Sequence, residues 1–210
     1  MSRVRTANLK RITRETSIKV DLDLDGSGKG KICSGIRFLD HMLESLAKHG
    51  LFDLTLTAKG DLDVDLHHTN EDIGIVLGKA FCAALGDKCG IRRFADMRAP
   101  LDEALTQVRV SLDLSGRGGL YLHTHPKTRW IEGPAGRVRG LKQGYSLGEA
   151  KHLLDAFASN IAASIHVDLL SGEDAHHVLE STFKALALAL RAAVDIDPRR
   201  VGIPSTKGRL

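Results

Sequence analysis

From Ser17 to Leu24 polar and apolar residues alternate, so this segment reads as a strand with one wet face. Asp25-Gly26-Ser27-Gly28 supplies a turn, and Lys29 to Ile36 reads as the return strand of a hairpin. The period then changes. Phe38, Met42, Leu43 and Leu46 recur at helical spacing over residues 38–49, and Gly50 closes that helix. Leu51 to Ala58 alternates again, with Leu54, Leu56 and Ala58 on one face. A polar turn from Gly60 to Asp65 leads into a helix from about His68 to Leu85. Its small face of Gly74, Gly78, Ala80 and Ala84 permits close packing on a sheet or on another helix. A strand over Thr106–Leu114, a helix over Ser146–Ala158, a strand over Ile161–Leu169 and a fourth helix carrying Lys184 follow. Residues 118–144 are rich in glycine and basic residues and have no period, which reads as strand ends plus a long surface loop. His123 and His125 fall there as exposed loop histidines, and His166 reads as a satisfied core imidazole on its strand or as one that supports a site residue.

The pattern occurs twice, and histidines mark the repeat. His67-His68-Thr69-Asn70-Glu71 and His176-His177-Val178-Leu179-Glu180 both read H-H-x-x-E at a helix start. On a helix, positions four apart share a face, so His67 stacks over Glu71 and His176 over Glu180. The middle histidine, His68 or His177, points about 100° away. One motif can therefore offer two ligands to one metal and one ligand to another. Placing His41 on His152 extends the match, since 26 residues separate His41 from His67 and 24 separate His152 from His176. An even difference preserves the facing of an intervening strand. Leu77, Ala80, Ala83 and Ala84 then match Leu186, Ala189, Ala192 and Ala193. Six histidines and two glutamates suffice for two metals, each with three imidazoles and one carboxylate. The plain alternative is a duplicated fold whose histidines merely cap helices, and eight positions in phase argue against it.

At 210 residues the chain is one large domain or two small lobes sharing a core, and the duplication favours the lobes. A net charge of +4 is a mild basic excess that suits anionic ligands. Cys33, Cys82 and Cys89 form no C-x-x-C pair, which points to a reducing cytoplasm without a disulfide framework. No apolar run near ~18 residues exists to span a membrane, and Met1–Leu9 lacks the apolar core of a secretory signal.

Seven ordered motifs resemble those of one family: F-L-D-H-M-L (38–43), H-H-T-x-E-D (67–72), G-I-x-R-F (90–94), P-L-D-E-A-L (100–105), D-L-S-G-R (113–117), H-H-x-x-E-x-x-F-K-A (176–185) and P-S-T-K-G (204–208). Together they are similar to imidazoleglycerol-phosphate dehydratase. The resemblance implies an α+β fold of duplicated split β-α-β halves (ribosomal protein S5 domain 2-like), each a small sheet with two helices packed on it. Residues 1–90 would form the first half, 91–198 the second, and 199–210 a phosphate-binding tail. It implies dehydration of D-erythro-imidazole glycerol phosphate to imidazole acetol phosphate in histidine biosynthesis. It also implies two Mn²⁺ ions per active site and a homo-oligomer of cubic symmetry with about 24 subunits and sites between them. No nucleic acid or membrane partner is implied. By resemblance His41, His67, His68, Glu71, His152, His176, His177 and Glu180 are metal ligands, and Glu15 is the acid/base group. Arg93, Arg117, Lys184, Ser205 and Lys207 match the family's phosphate-binding positions. Ser45 stands where many members carry glutamine, and Asp174 where asparagine is usual. Glu15 lies outside both repeated ligand sets, so no duplicate of it is expected in the second half.

The chemistry of the residues agrees with that implication. Imidazole and carboxylate donors without thiolate suit a six-coordinate ion such as Mn²⁺, Fe²⁺ or Zn²⁺. The hard step removes a hydrogen from a carbon that no carbonyl acidifies, and a metal-stabilised imidazolate would push out the neighbouring hydroxyl. Two rival readings exist. A metal-storage assembly explains the histidines but not Arg93, Arg117 and P-S-T-K-G. A dinuclear phosphate-ester hydrolase explains metal and phosphate, but such sites hold metals about 3.5–4 Å apart with bridging carboxylates, and this donor set is rich in imidazole.

Overall fold

The structure, a computed structural model, describes residues 4–113, 115–125 and 144–206. The first half runs β1 (Thr6–Ile12), β2 (Thr16–Asp23), β3 (Gly30–Cys33), α1 (Arg37–Gly50), β4 (Asp53–Gly60) and α2 (His67–Leu85). The second runs β5 (Phe94–Leu101), β6 (Ala104–Leu112), β7 (Gly119–Thr124), α3 (Leu147–Ile161), β8 (Ala163–Ser171) and α4 (Ala175–Val194). Two four-stranded mixed sheets form, ordered β1-β2-β4-β3 and β5-β6-β8-β7. The two orders superimpose strand for strand, so the duplication extends through an α+β fold of equivalent halves.

Strand alternation sets which face is buried. Thr16, Ile18, Val20 and Leu22 of β2, and Ala163, Ile165, Val167 and Leu169 of β8, point inward and are buried. The helices then pack across the halves, α1 on α4 and α2 on α3. The second pairing uses the small face read from the sequence. A Cβ at Gly74 would lie 2.5 Å from Leu153 O, and one at Gly78 would lie 2.6 Å from Phe157 O. Phe52, Phe81 and Phe157 continue the contact as a buried edge-to-face series, with ring centroids 5.1 and 5.5 Å apart. Each such pair contributes about 0.5–1.5 kcal/mol beyond its buried area. No helix among the described residues is long and apolar enough to cross a membrane.

Several sequence expectations need correction. The stretch from Lys29 is not the return strand of a hairpin with β2. Both edges of β2 are taken, by β1 and β4, and β3 pairs in parallel with β4 instead. Asp53 Oδ1 accepts from the amides of Ser27 (2.7 Å) and Lys29 (3.0 Å), which ties the turn to the start of β4. Gly50 does not end α1 by turning left-handed. Leu51 does so, at φ 56°, and its amide donates to Ala47 O. Gly50 is needed because a Cβ there would meet the Phe52 ring at 2.4 Å. The edge strands β1 and β5 carry little apolar periodicity, since most of their residues are half-buried or exposed, and the sequence pattern passed over both. His166 is not in the core. It lies on the outer face of its sheet, stacked with Tyr121 at 4.5 Å and with His123 at 5.8 Å. Of the irregular stretch 118–144, residues 126–143 lie outside the described residues.

Candidate metal centre

Helix α4 opens on a well-formed cap. Asp174 Oδ1 accepts from the amides of His176 (2.7 Å) and His177 (3.2 Å), so the aspartate that replaces the usual asparagine still caps the helix. His176 and Glu180 follow one turn apart, with Nε2 and Oε2 3.2 Å from each other. The third member comes from the other half. His41 on α1 places its Nε2 3.3 Å from the same Glu180 oxygen. One donor atom from each of His41, His176 and Glu180 lies within 4.8 Å of the other two. Phe38, one turn before His41, sets an edge against the His176 ring at 5.2 Å. Burial pushes the Glu180 carboxyl up, but bonds from Lys184 and His41 hold it down at about 2. It is therefore an anion at neutral pH and available to a cation.

The pseudo-equivalent cluster lies between α2 and α3. His67 Nε2 is 3.9 Å from Glu71 Oε2, and the His67 and His152 rings meet edge to face at 4.9 Å. These residues line one shallow pocket with Ile75, Asp155, Ala156, Ser159 and Asn160. Asn70, inside the first motif, fixes the two helices. Its Nδ2 donates to Glu149 O at 2.7 Å, and its Oδ1 accepts from the fully buried Tyr145 hydroxyl at 2.8 Å. Each cluster thus takes its lone histidine from one half and its H-x-x-x-E pair from the other. Sequence facing paired His67 with Glu71 and His176 with Glu180, but it left the partners of His41 and His152 open.

The middle histidines stand outside both clusters, as helical facing requires. His68 Nδ1 meets Asp61 Oδ2 at 2.9 Å, and His177 Nδ1 meets Glu103 Oε2 at 2.8 Å. These hydrogen bonds raise the pKa of both imidazoles. With Nδ1 so engaged, Nε2 is the nitrogen each ring would offer to a metal, and in His177 it lies 3.7 Å from Asp102 Oδ2. Glu15, on the β1–β2 turn, lies 3.9 Å from His68 Nδ1 and is half exposed. The β5–β6 hairpin also brings a carboxylate, Glu103, to His177, but from a different position in the hairpin than that of Glu15.

The residues expected to bind phosphate fall into two groups. Arg93, at φ 74°, gives Nε to Leu112 O (3.1 Å) and Nη1 to Pro204 O (2.9 Å), and so holds the tail that carries Ser205. Arg117 is 85% exposed and reaches Asp113 only at 3.5 Å, so its guanidinium is open to a ligand. Lys184 instead belongs with the α1–α4 cluster, with Nζ 2.9 Å from Glu180 Oε1. Lys207 lies outside the described residues. Sequence reasoning passed over His49 near the end of α1. Burial, and then the charge of Lys184, lower its pKa, while the charge of Glu180 raises it. A histidine at the end of an apolar helix stripe gave no local signal. Ser45, one turn beyond His41, has its hydroxyl buried without a protein partner among the described residues.

Each cluster presents two imidazoles and one carboxylate with no thiolate, which fits an octahedral ion such as Mn²⁺ that still has positions to fill. A family model described as imidazoleglycerol-phosphate dehydratase matches residues 34–190. The chain is 53% identical over 207 residues to the imidazoleglycerol-phosphate dehydratase of Kineococcus radiotolerans, covering 98% of this chain and 99% of that one. It is 52% identical over 207 residues to that of Thermoanaerobacter pseudethanolicus, covering 99% of this chain and 100% of that one. Among solved structures, IGPD from Pyrococcus furiosus superimposes with a TM-score of 0.75 at 34% identity, covering 96% of this chain and 100% of that one. The imidazoleglycerol-phosphate dehydratase of Staphylococcus aureus superimposes with a TM-score of 0.74 at 26% identity, covering 91% and 99%.

Proposed function

The chain belongs to the imidazoleglycerol-phosphate dehydratase family of hydro-lyases in histidine biosynthesis, and we propose that it works through two Mn²⁺ ions bound at the clusters just described. The observation that carries the proposal is the meeting of His41 with His176 and Glu180 from the other half, within 4.8 Å. Metal bound there would supply Lewis acidity toward the substrate's imidazole nitrogens.

The protein's own residues do the rest. His41, His176 and Glu180 would hold one ion, and His152, His67 and Glu71 the other. His68 and His177 stand outside these sets, each with a carboxylate on Nδ1. That arrangement supports a third imidazole supplied by a neighbouring subunit, and hence a homo-oligomer of about 24 chains with sites between them. Glu15, beside His68, is placed to take the proton from the second side-chain carbon, the neighbour of the carbon that loses its hydroxyl, which leaves the enol of the ketone product. Arg93, Arg117, Lys184, Ser205 and Lys207 would bind the phosphate, the arginines by paired N–H donors. Cys33, Cys82 and Cys89, an odd number without C-x-x-C spacing, fit a reducing cytoplasmic setting.

The test is a product assay with imidazole glycerol phosphate and added Mn²⁺. A ketone product that retains its phosphate is expected. Release of inorganic phosphate would favour a hydrolase and count against the proposal.

A further inference from the structure

The turn that carries Glu15 is tied to α2 by a buried carboxylate. Asp72 follows Glu71 in the first motif and is 8% exposed. Its Oδ2 accepts from Arg11 Nη1 at 2.7 Å and also from Thr16 Oγ1. Thr13 Oγ1 in turn accepts from the amides of Glu15 (3.1 Å) and Thr16 (2.9 Å), and Thr13 N donates to Thr16 O at 2.8 Å. Glu15 therefore sits on a closed four-residue turn, and Asp72 grips the strand on each side of it.

The second half shows what the fold requires at this place. Thr16 pairs with Gly60, seven residues ahead of His67, and Thr106 pairs with Leu169, seven residues ahead of His176. Thr106 is thus the counterpart of Thr16, and Ser181 is the counterpart of Asp72. Arg11 pairs with Ile18 as Met97 pairs with Val108, so Met97 stands for Arg11. There the buried Thr106 hydroxyl meets Ser181 Oγ at 2.7 Å and Thr182 Oγ1 at 3.3 Å, while Met97 packs on the core. The same architecture therefore closes with neutral hydroxyls and a thioether. A carboxylate and a guanidinium cost more to desolvate than those groups, so folding alone does not account for the Arg11–Asp72 pair. What the first half has at this point, and the second lacks, is a glutamate directly before the threonine: Leu105 holds the place of Glu15.

We propose that Asp72 is a positioning residue: through Thr16 and Arg11 it fixes the β1–β2 turn and so sets Glu15 for proton transfer. The inference rests on Glu15 being the acid/base group, as proposed above. It assigns adjacent residues of one motif to two tasks, Glu71 to the metal and Asp72 to the turn.

The test uses the repeat as its guide. Arg11→Met with Asp72→Ser installs the residues that the second half already tolerates. Thr16→Val removes only the hydroxyl, and Thr16→Ser keeps it. Displacement of the carboxylate by about 1 Å is expected to lower kcat roughly 10–100-fold. KM should change by less than about 3-fold, because substrate binding does not use the turn. Metal content per chain should stay at the wild-type value, and Thr16→Ser should restore most of the kcat that Thr16→Val loses. The deciding measurement is the same double substitution in a Glu15→Gln background. If Asp72 acts through Glu15, kcat should fall no further there. Losses that multiply would overturn the inference, as would wild-type kcat in Thr16→Val. If Arg11→Met with Asp72→Ser loses metal while Thr16→Val keeps wild-type turnover, Asp72 supports the ligand and not the turn. Wild-type turnover in Glu15→Gln alone would remove the acid/base reading itself. A slow Glu15→Gln beside fast Asp72 and Thr16 variants would remove only the positioning role.

Discussion

Replacing Gly74 with alanine links the packing of two helices to the metal binding proposed for them. A Cβ at this position would lie 2.5 Å from Leu153 O and 3.0 Å from Ala156 Cβ. Both atoms belong to α3, and Leu153 O is backbone that no rotamer change can move aside. Ordinary contact at about 3.5 Å returns only when α2 and α3 part by roughly 1 Å. Overpacking of this kind costs about 1–3 kcal/mol. Alanine recovers about 1 kcal/mol of helix propensity relative to glycine, which leaves a net loss near 1 kcal/mol. For a chain of this size that lowers Tm by about 2–4 °C. Gly148→Ala supplies the control. Its Cβ would meet only Ser146 Oγ, at 3.4 Å, so the propensity gain is not offset and Tm should rise slightly. The second readout is metal. Gly74 lies one turn after Glu71, and Leu153 follows His152, so separation at this point draws His152 away from His67 and Glu71. Titration of the metal-free variant with Mn²⁺ should show weaker binding at that cluster and unchanged binding at the His41–His176–Glu180 cluster. A rise in Tm like that of Gly148→Ala, or equal weakening of both clusters, would refute this account of the α2–α3 contact.

Cross-half sharing of ligands has its own signature in elemental analysis. His41→Ala with Glu180→Ala should remove one ion per chain, whereas His41→Ala with Glu71→Ala should remove both, and the reverse pattern would mean that each histidine serves its own half. Chelation by EDTA should shrink the particle in light scattering and Mn²⁺ should restore it, whereas an unchanged mass in metal-free protein would exclude sites shared between subunits. Acid stability should depend on Glu103. Bonds from the Asp174 amide, the His177 ring and the Glu173 amide lower its pKa from 4.5 to about 2. A carboxyl depressed on folding stabilises the protein above its unfolded pKa and loses that contribution as pH falls through the folded one. Metal-free wild type should therefore lose stability more steeply than Glu103→Gln between pH 4.5 and about 2, followed by circular dichroism, and parallel acid limbs would contradict the assignment.

Local periodicity determined much of this protein. Alternation at residues 17–24 and helical spacing at 38–46 fixed the element types, because burial on one face is a property of consecutive residues. The repeat of H-H-x-x-E, in phase with His41 and His152, made the proposed metal-ligand set and the duplicated fold legible together. The facing of i and i+4 correctly separated His67 and Glu71 from His68. Pairing between distant elements was not legible. Nothing in Lys29–Ile36 says that its partner is β4 and not β2, since that choice depends on Asp53 reaching the turn amides and on β1 occupying the other edge of β2. The edge strands β1 and β5 bury too little apolar surface to announce themselves. Above all, the sequence supplied His41 and His152 without their partners. Tertiary packing decided these, because α1 lies on α4 and α2 lies on α3. The glycines that permit the second contact, and the Asp72 anchor under Glu15, act on residues dozens of positions away. Their meaning comes from which backbone and which turn the fold brings against them.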